Sequence, residues 1–261
     1  MTIADWDTAA TAGYYEAFCR RHARYDDANR ALVANASLER GQRVLDFAAG
    51  TGRTAEAVLT YLGPQDEVVC VEPASAMRMA GAARLRDPRV RWVADCPAGD
   101  HRFARVLCGA ALWQLRPLGA IVERLAGLVA TGGALCFNIP GSYLGIPDEP
   151  GGGPNPWLLE LPARLIEGCE PVLDRVDPLP APDEIDALLD RAGLTPRRWS
   201  VRSRLTQVAY RDWLKVPPMT AGWLAGLAAN ERARRIDRAF EAVDPDSWRW
   251  ELWLGWTAWR N

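Results

Sequence analysis

Apolar residues along this chain change their period several times, and each change marks an element. Between residues 14 and 38 they recur at near-helical spacing (Tyr14, Phe18, Tyr25, Leu32, Val33), with Gly41 as the stop. From residue 43 short apolar runs alternate with helical stretches: strand 43–48, helix 52–62, strand 67–71, helix 74–86, strand 89–94, strand 104–109, helix 117–130 and strand 133–139. Such alternation predicts a parallel sheet covered on both faces, with right-handed crossovers. The expected class is a doubly wound α/β fold.

After Pro140 the pattern breaks. Glycines and prolines crowd residues 141–156 (Gly141, Gly145, Pro147, Pro150, Gly151 to Pro154, Pro156), which predicts a long loop leaving the fifth strand. Helices near 157–168 and 183–192 follow, the second stopped by Gly193. A strand-like run covers 197–205, helix covers 207–243 with a break at Val216-Pro217-Pro218, and a last strand covers 248–259. On a two-residue period Trp248, Trp250, Leu252, Leu254 and Trp256 share one face of that strand, which reads as packing against the core or covering the sheet.

The 261 residues carry a net charge of −2, which gives no general attraction to nucleic acid. The run Arg232, Arg234, Arg235 and Arg238 reads as a solvated helix face. No apolar stretch is long enough for a membrane span, and the acids Asp5, Asp7 and Glu16 argue against a signal peptide. Six cysteines without a CxxC pair, mostly inside apolar segments, suggest reduced thiols and a cytoplasmic protein. Two distant histidines and unpaired cysteines offer no metal-ligand set.

The chemistry concentrates at Val44-Leu45-Asp46-Phe47-Ala48-Ala49-Gly50-Thr51-Gly52, where an apolar strand ends in an acid, a small-residue loop and a helix start. A ligand can approach such a loop closely and meet helix N-terminal amides. The Gly50 to Ala55 run satisfies a GxGxx(G/A) dinucleotide pattern, but Asp46 at the strand end favours a positively charged amino acid moiety over a pyrophosphate. Glu72, closing the next strand, is placed to accept from ribose hydroxyls. Asp95, closing the third, can take an exocyclic adenine amine. Three acids on successive strand ends suggest a cationic adenosyl amino acid.

With Ala94-Asp95-Cys96, Leu107-Cys108-Gly109-Ala110-Ala111-Leu112-Trp113 and Thr131-Gly132-Gly133-Ala134-Leu135 added, residues 42–139 resemble the class I S-adenosylmethionine-dependent methyltransferases, in the small-molecule branch of the ubiquinone/menaquinone and biotin-pathway enzymes. The resemblance implies a Rossmann-like, seven-stranded, mostly parallel sheet with the last strand antiparallel. It implies S-adenosyl-L-methionine over the first four strand ends, held by Tyr14, Asp46, Ala48, Gly50, Gly52, Glu72, Pro73, Met77, Asp95, Cys96, Cys108 and Gly109. A lid of residues 1–40, a core of 41–140 and further lid elements with the last two strands in 141–261 would enclose a small-molecule acceptor. Ala48 departs from the family's usual glycine, and Ala104-Arg105 stands where relatives often have an acid.

Tyr15, His22 and Gln114 are the catalytic candidates, with Asn138 and Tyr143 placed to orient a polar acceptor and Trp157, Trp213 and Trp223 to line an apolar one. His101 precedes the fourth strand, at the edge away from the site. The alternative reading keeps the cofactor and loses the transfer, as an isomerase, cyclase or binding protein. A nicotinamide dehydrogenase is supported by the glycine pattern alone and opposed by Asp46.

Overall fold

A computed structural model describes residues 3–97, 102–151, 179–224, 226–241 and 243–261. Strands β1 (Arg43–Phe47), β2 (Glu67–Val71), β3 (Val90–Val93), β4 (Phe103–Cys108) and β5 (Val129–Pro140) are mutually parallel, in the order β3-β2-β1-β4-β5. The two-residue strand β6 (Glu149–Pro150) and the long β7 (Thr195–Thr206) both pair antiparallel with β8 (Trp248–Trp259), which itself runs antiparallel to β5. Apart from β6 this is the seven-stranded mixed sheet that the resemblance implies.

Alternate strand residues feed two apolar layers. Leu45, Val69, Val106, Leu135 and Phe137 pack with Leu118, Val122 and Leu125 of α6 (Leu118–Gly127) and Ile185 and Leu189 of α7 (Pro182–Arg191). Val44, Val68, Leu107 and Cys136 face the other way, onto Leu32 and Val33 of α3 (Arg24–Asn35) and Ala55 and Val58 of α4 (Arg53–Leu59). A third cluster lies beyond the sheet, where α2 (Ala9–Arg21) and α3 meet α8 (Gln207–Leu214) and α9 (Ala229–Phe240) around Phe18, Tyr25, Trp213, Phe240 and Trp253. The short α1 (Ile3–Trp6) and α5 (Ser75–Arg84) complete the helices used below.

Four sequence expectations change. The helix expected over residues 14–38 is two, because His22 adopts extended backbone (φ −134°, ψ 130°) and α3 restarts at Arg24. Helix α3 ends at Asn35, and Gly41 instead turns with φ +84° and gives its N–H to Asp66. Strand β5 starts at Val129, since Gly132 (φ +72°) lets extra residues bulge between the Phe103 and Arg105 pairings. The Gly/Pro segment is not all loop: a 3-10 turn forms at Gly141–Leu144 and β6 pairs with β8, supported by ion pairs Asp148–Arg249 and Glu149–Arg202. The expected helix at 157–168, Trp157, Cys169 and His101 lie outside the described residues.

The faces of β8 also differ from expectation. Its fully buried side chains at the N-terminal end are Arg249, Glu251 and Trp253, while Trp250 on the supposed packing face is exposed. Trp256 does join the core, stacked 5.1 Å from Phe137. The register explains the division. Pro140, the end of β5, pairs with Trp253, so Trp248 to Leu252 overhang the C-terminal edge of the parallel sheet, where the lid helices bury the other face.

Candidate active site

Asp46 is the centre of the cluster around the glycine loop. At the end of β1 it is fully buried, Oδ2 accepts from the Ala55 amide at 3.1 Å, and Oδ1 has no partner among the described residues. Burial, with the charge of Glu72 added, pushes its carboxyl up to about 8 against the Ala55 hydrogen bond. Glu72 accepts from the Gly50 and Ala74 amides, each at 2.8 Å, and burial raises its carboxyl too. Each of those oxygens keeps a second lone pair. A buried, half-satisfied carboxylate beside a second acid is costly without a cation, which fits a ligand that brings one.

The loop between the acids bends through Ala48 (φ +55°), Gly50 (φ +55°) and Gly52 (φ +81°). Met77 lies over it, its Cε 3.6 Å from where a Cβ on Gly50 would stand. At Gly109 a Cβ would run into Thr54 Oγ1 and stand 2.7 Å from Asn29 Oδ1, so β4, α3 and α4 approach each other only because that side chain is missing. Asn29 Oδ1 is itself buried without a partner among the described residues.

The N-terminal helices close over this edge through named bonds. Trp6 Nε1 donates to Gln114 Oε1 at 2.9 Å, reaching from α1 to the turn after β4. Asp7 accepts from the Ala76 amide at the start of α5. Glu16 of α2 accepts from the Thr51 hydroxyl and from Arg53 Nη2, the latter at 2.8 Å, so α2 is fastened to the glycine loop. Asn138 of β5 accepts from the Ala110 amide (2.7 Å) and donates to the Ala28 carbonyl (2.9 Å), tying α3 to the tip of β4.

No family model matches the chain. Over 109 residues it is 28% identical to the ubiquinone/menaquinone biosynthesis C-methyltransferase UbiE of Coxiella burnetii, a match covering 39% of this chain and 44% of that protein. The chain thus matches under half the length of that curated relative. Its fold matches a putative methyltransferase of Bacillus halodurans (TM-score 0.58, 15% identity, 90% of this chain and 100% of that one). It likewise matches phosphoethanolamine N-methyltransferase 2 of Haemonchus contortus (TM-score 0.51, 15% identity, 90% of this chain and 52% of that one). The chain therefore shares its fold with these methyltransferases and is similar in sequence to one of them over 109 residues.

Within that fold the expected site residues separate into groups. Asp46, Glu72, Met77, Gly50, Gly52, Ala48 and Gly109 gather around the loop. Pro73 is exposed beside Glu72, and its carbonyl accepts from Arg78. Asp95 is an exposed rim residue, its Oδ1 accepting from the Cys96 amide and from Arg124, which hold its carboxyl below the usual range. Cys96 is half-buried beside it. Cys108 turns its thiol into the core, where burial pushes the thiol far up, so its backbone alone faces the loop after β4. Tyr14 is half-buried on α2.

The catalytic candidates do not assemble. His22 Nε2 lies 2.9 Å from Asp212 Oδ2, at the contact of α2 with α8, among Arg21, Arg211 and Lys215. Gln114 is held by Trp6, and Asn138 by Ala110 and Ala28. Tyr15 packs between Trp6 (5.9 Å) and Tyr25 (5.7 Å), and burial raises its hydroxyl well above the usual range, making it a donor and not a base.

Sequence reasoning missed the charged part of the site. Arg24 and Glu251 form a buried ion pair, with Nε–Oε2 at 2.9 Å and Nη2–Oε1 at 2.5 Å, and Glu251 also accepts from Trp253 Nε1. Arg249 pairs with Asp148 close by. The available signal was the alternation Arg249, Glu251, Trp253 in the last strand: charges on one face of an otherwise aromatic strand need a partner or a ligand.

Proposed function

We propose that this chain transfers the methyl group of S-adenosyl-L-methionine to a small-molecule acceptor. The observation that carries it is the buried Asp46 Oδ1, without a partner among the described residues, at the strand end that leads into a glycine loop, with Glu72 at the end of the next strand. Asp46 would hold the cofactor's ammonium and Glu72 its ribose hydroxyls, while the free Oδ2 of Asp95 would take the adenine amine. When bound, the cofactor supplies an electrophilic methyl group on a sulfonium.

The chain's own contribution is placement and exclusion of water. Trp6, Tyr15 and Tyr25 form an aromatic cover on α1, α2 and α3, fastened by the Trp6–Gln114 and Glu16–Arg53 bonds. Alignment of two reactants in a dry site accounts for much of the barrier in a displacement that disperses charge. No general base is brought together among the described residues, so an acceptor that arrives already nucleophilic suits this site. Residues 1–40 act as the lid, although Leu32 and Val33 of α3 also build the sheet's second layer. The acceptor class, not nucleic acid, is the reading supported by the net charge, and buried thiols in apolar strands support a cytoplasmic location. Among the described residues, no helix is long and apolar enough to cross a membrane.

Calorimetry with S-adenosylhomocysteine tests the reading: the wild type binds and Asp46→Asn binds about ten- to a hundredfold more weakly. Release of labelled methyl from the cofactor to a metabolite extract then separates transfer from the isomerase or binding-protein alternative. Binding undiminished in Asp46→Asn would overturn the site.

A further inference from the structure

The Arg24 guanidinium is half used. Nε and Nη2 are taken by Glu251, one face of the group lies 4.4 Å from the Trp213 ring, and the rings of Tyr25 (5.6 Å) and Trp253 (5.8 Å) stand around it. Nη1 is buried with no partner among the described residues. Its two N–H groups are donors that burial leaves unsatisfied, in a side chain only 5% exposed. Beside it the Tyr25 hydroxyl accepts from Trp213 Nε1 at 2.8 Å, which leaves its own hydrogen to give.

These donors stand beside the overhang of β8 at the C-terminal edge of the parallel sheet. Glu251 lies on the overhang of β8 beyond the end of β5, and Arg24 begins the helix whose Ala28 carbonyl is bonded to Asn138. Tyr25 touches Tyr15 of the cover. Tyr143, in the turn after β5, stacks flat on Trp113 at 4.1 Å and lies within electrostatic reach of both Arg24 and Tyr25. Aromatic rings and two unspent donors are therefore buried neighbours at this edge of the sheet.

We propose that Arg24 Nη1 and the Tyr25 hydroxyl form a carboxylate subsite, so that the acceptor is an aromatic or otherwise planar acid bound by its carboxylate. This rests on the methyltransferase reading above. Nη1 can give a hydrogen to one carboxylate oxygen and the Tyr25 hydroxyl to the other, a match that an amide with one acceptor oxygen meets only in part and an ammonium group not at all. Glu251 and Asp148 neutralise Arg24 and Arg249 one for one, so selection comes from hydrogen bonding at Nη1 and not from net charge.

The test uses benzoate and benzamide as probes on the protein loaded with S-adenosylhomocysteine, read by ligand-observed NMR titration. Benzoate should bind, and benzamide about tenfold or more weaker, the factor carried by a charge-assisted bond. Because Arg24→Gln alone strands the buried Glu251 charge, the variant is Arg24→Gln with Glu251→Gln. This double variant should keep S-adenosylhomocysteine affinity and lose the preference for benzoate. Equal binding of the two probes, no benzoate binding, or a preference that survives in the double variant would each overturn the subsite. Loss of S-adenosylhomocysteine binding by the wild type would instead overturn the methyltransferase reading.

Discussion

The two halves of the site are built by opposite strategies. In the cofactor half, Asp46, the loop from Ala48 to Gly52 and Glu72 are near neighbours in sequence, and the carboxylates are answered by backbone amides of Ala55, Gly50 and Ala74. Across the helices, Arg24 meets Glu251 from 227 positions away, and the partners of this pair are side chains. Amides of a local loop recur wherever that backbone recurs, whereas side-chain pairs can be exchanged one protein at a time. The first half is thus suited to an invariant ligand and the second to a particular one.

The largest effect should come from breaking the distant pair. Glu251→Ala leaves the Arg24 guanidinium buried and uncompensated, an arrangement that costs about 3–5 kcal/mol. Urea unfolding should show that loss, and Arg24→Met with Glu251→Leu should recover most of it. If Glu251→Ala unfolds like the wild type, the pair is more hydrated than the structure shows.

Asp46→Asn should weaken S-adenosylhomocysteine binding by about 1.5–3 kcal/mol, the worth of a hydrogen bond to a charged group. The same substitution has a second, opposite signature. Asp46 is raised from its usual value to about 8, so the ligand-free fold favours the protonated acid. Stability from this group is therefore present at about pH 4, is lost as pH rises toward about 8, and should be insensitive to pH across that window in Asp46→Asn. In the wild type, affinity for the cationic cofactor should climb over the same range, by at most about tenfold per unit. A flat wild-type binding profile would mean that Asp46 is already ionised without ligand.

This division explains what the sequence disclosed. Strand and loop periodicity placed β1 to β5 within a few residues because β1, β2, β4 and most of β5 are buried, mainly apolar runs, and Glu67–Val71 and Trp248–Trp259 match the expected bounds. Asp46 and Glu72 were legible because a strand end positions them without help from the rest of the fold. Arg24 was not: its helix reads as one amphipathic stretch from residue 14, and only the break at His22 turns it inward. Likewise the buried face of β8 was misread because hydrophobicity alone favours Trp248, Trp250 and Leu252, and the charges opposite them are stable inside only through partners far away in sequence. His22 and Gln114 lie apart from one another for the same reason, bonded to Asp212 and to Trp6.

The junction of the two halves is Gly109. Gly109→Ala would drive a methyl group against Thr54 Oγ1 and Asn29 Oδ1, with α3 already tied to Ala110 through Asn138. Overpacking of this kind costs about 1–3 kcal/mol. Loss of stability together with weaker binding of both S-adenosylhomocysteine and benzoate is expected by calorimetry and NMR. A change confined to one ligand would show that the halves are mechanically separate.

The smallest effect tests the cofactor half alone. Ala48 holds φ +55° with a Cβ, a conformation that costs an L-residue about 1–2 kcal/mol. Glycine removes that strain but gives up about 0.5–1 kcal/mol through the greater freedom of the unfolded chain. Ala48→Gly should therefore stabilise the protein by about 0.5–1 kcal/mol net. Because Asp46 and Glu72 are held by amides outside residue 48, S-adenosylhomocysteine affinity should stay within about twofold, a difference of under half a kcal/mol. Destabilisation in thermal unfolding would mean that the Ala48 methyl packs against the loop strongly enough to outweigh its backbone strain, and that the chain's departure from the family's glycine is a structural asset.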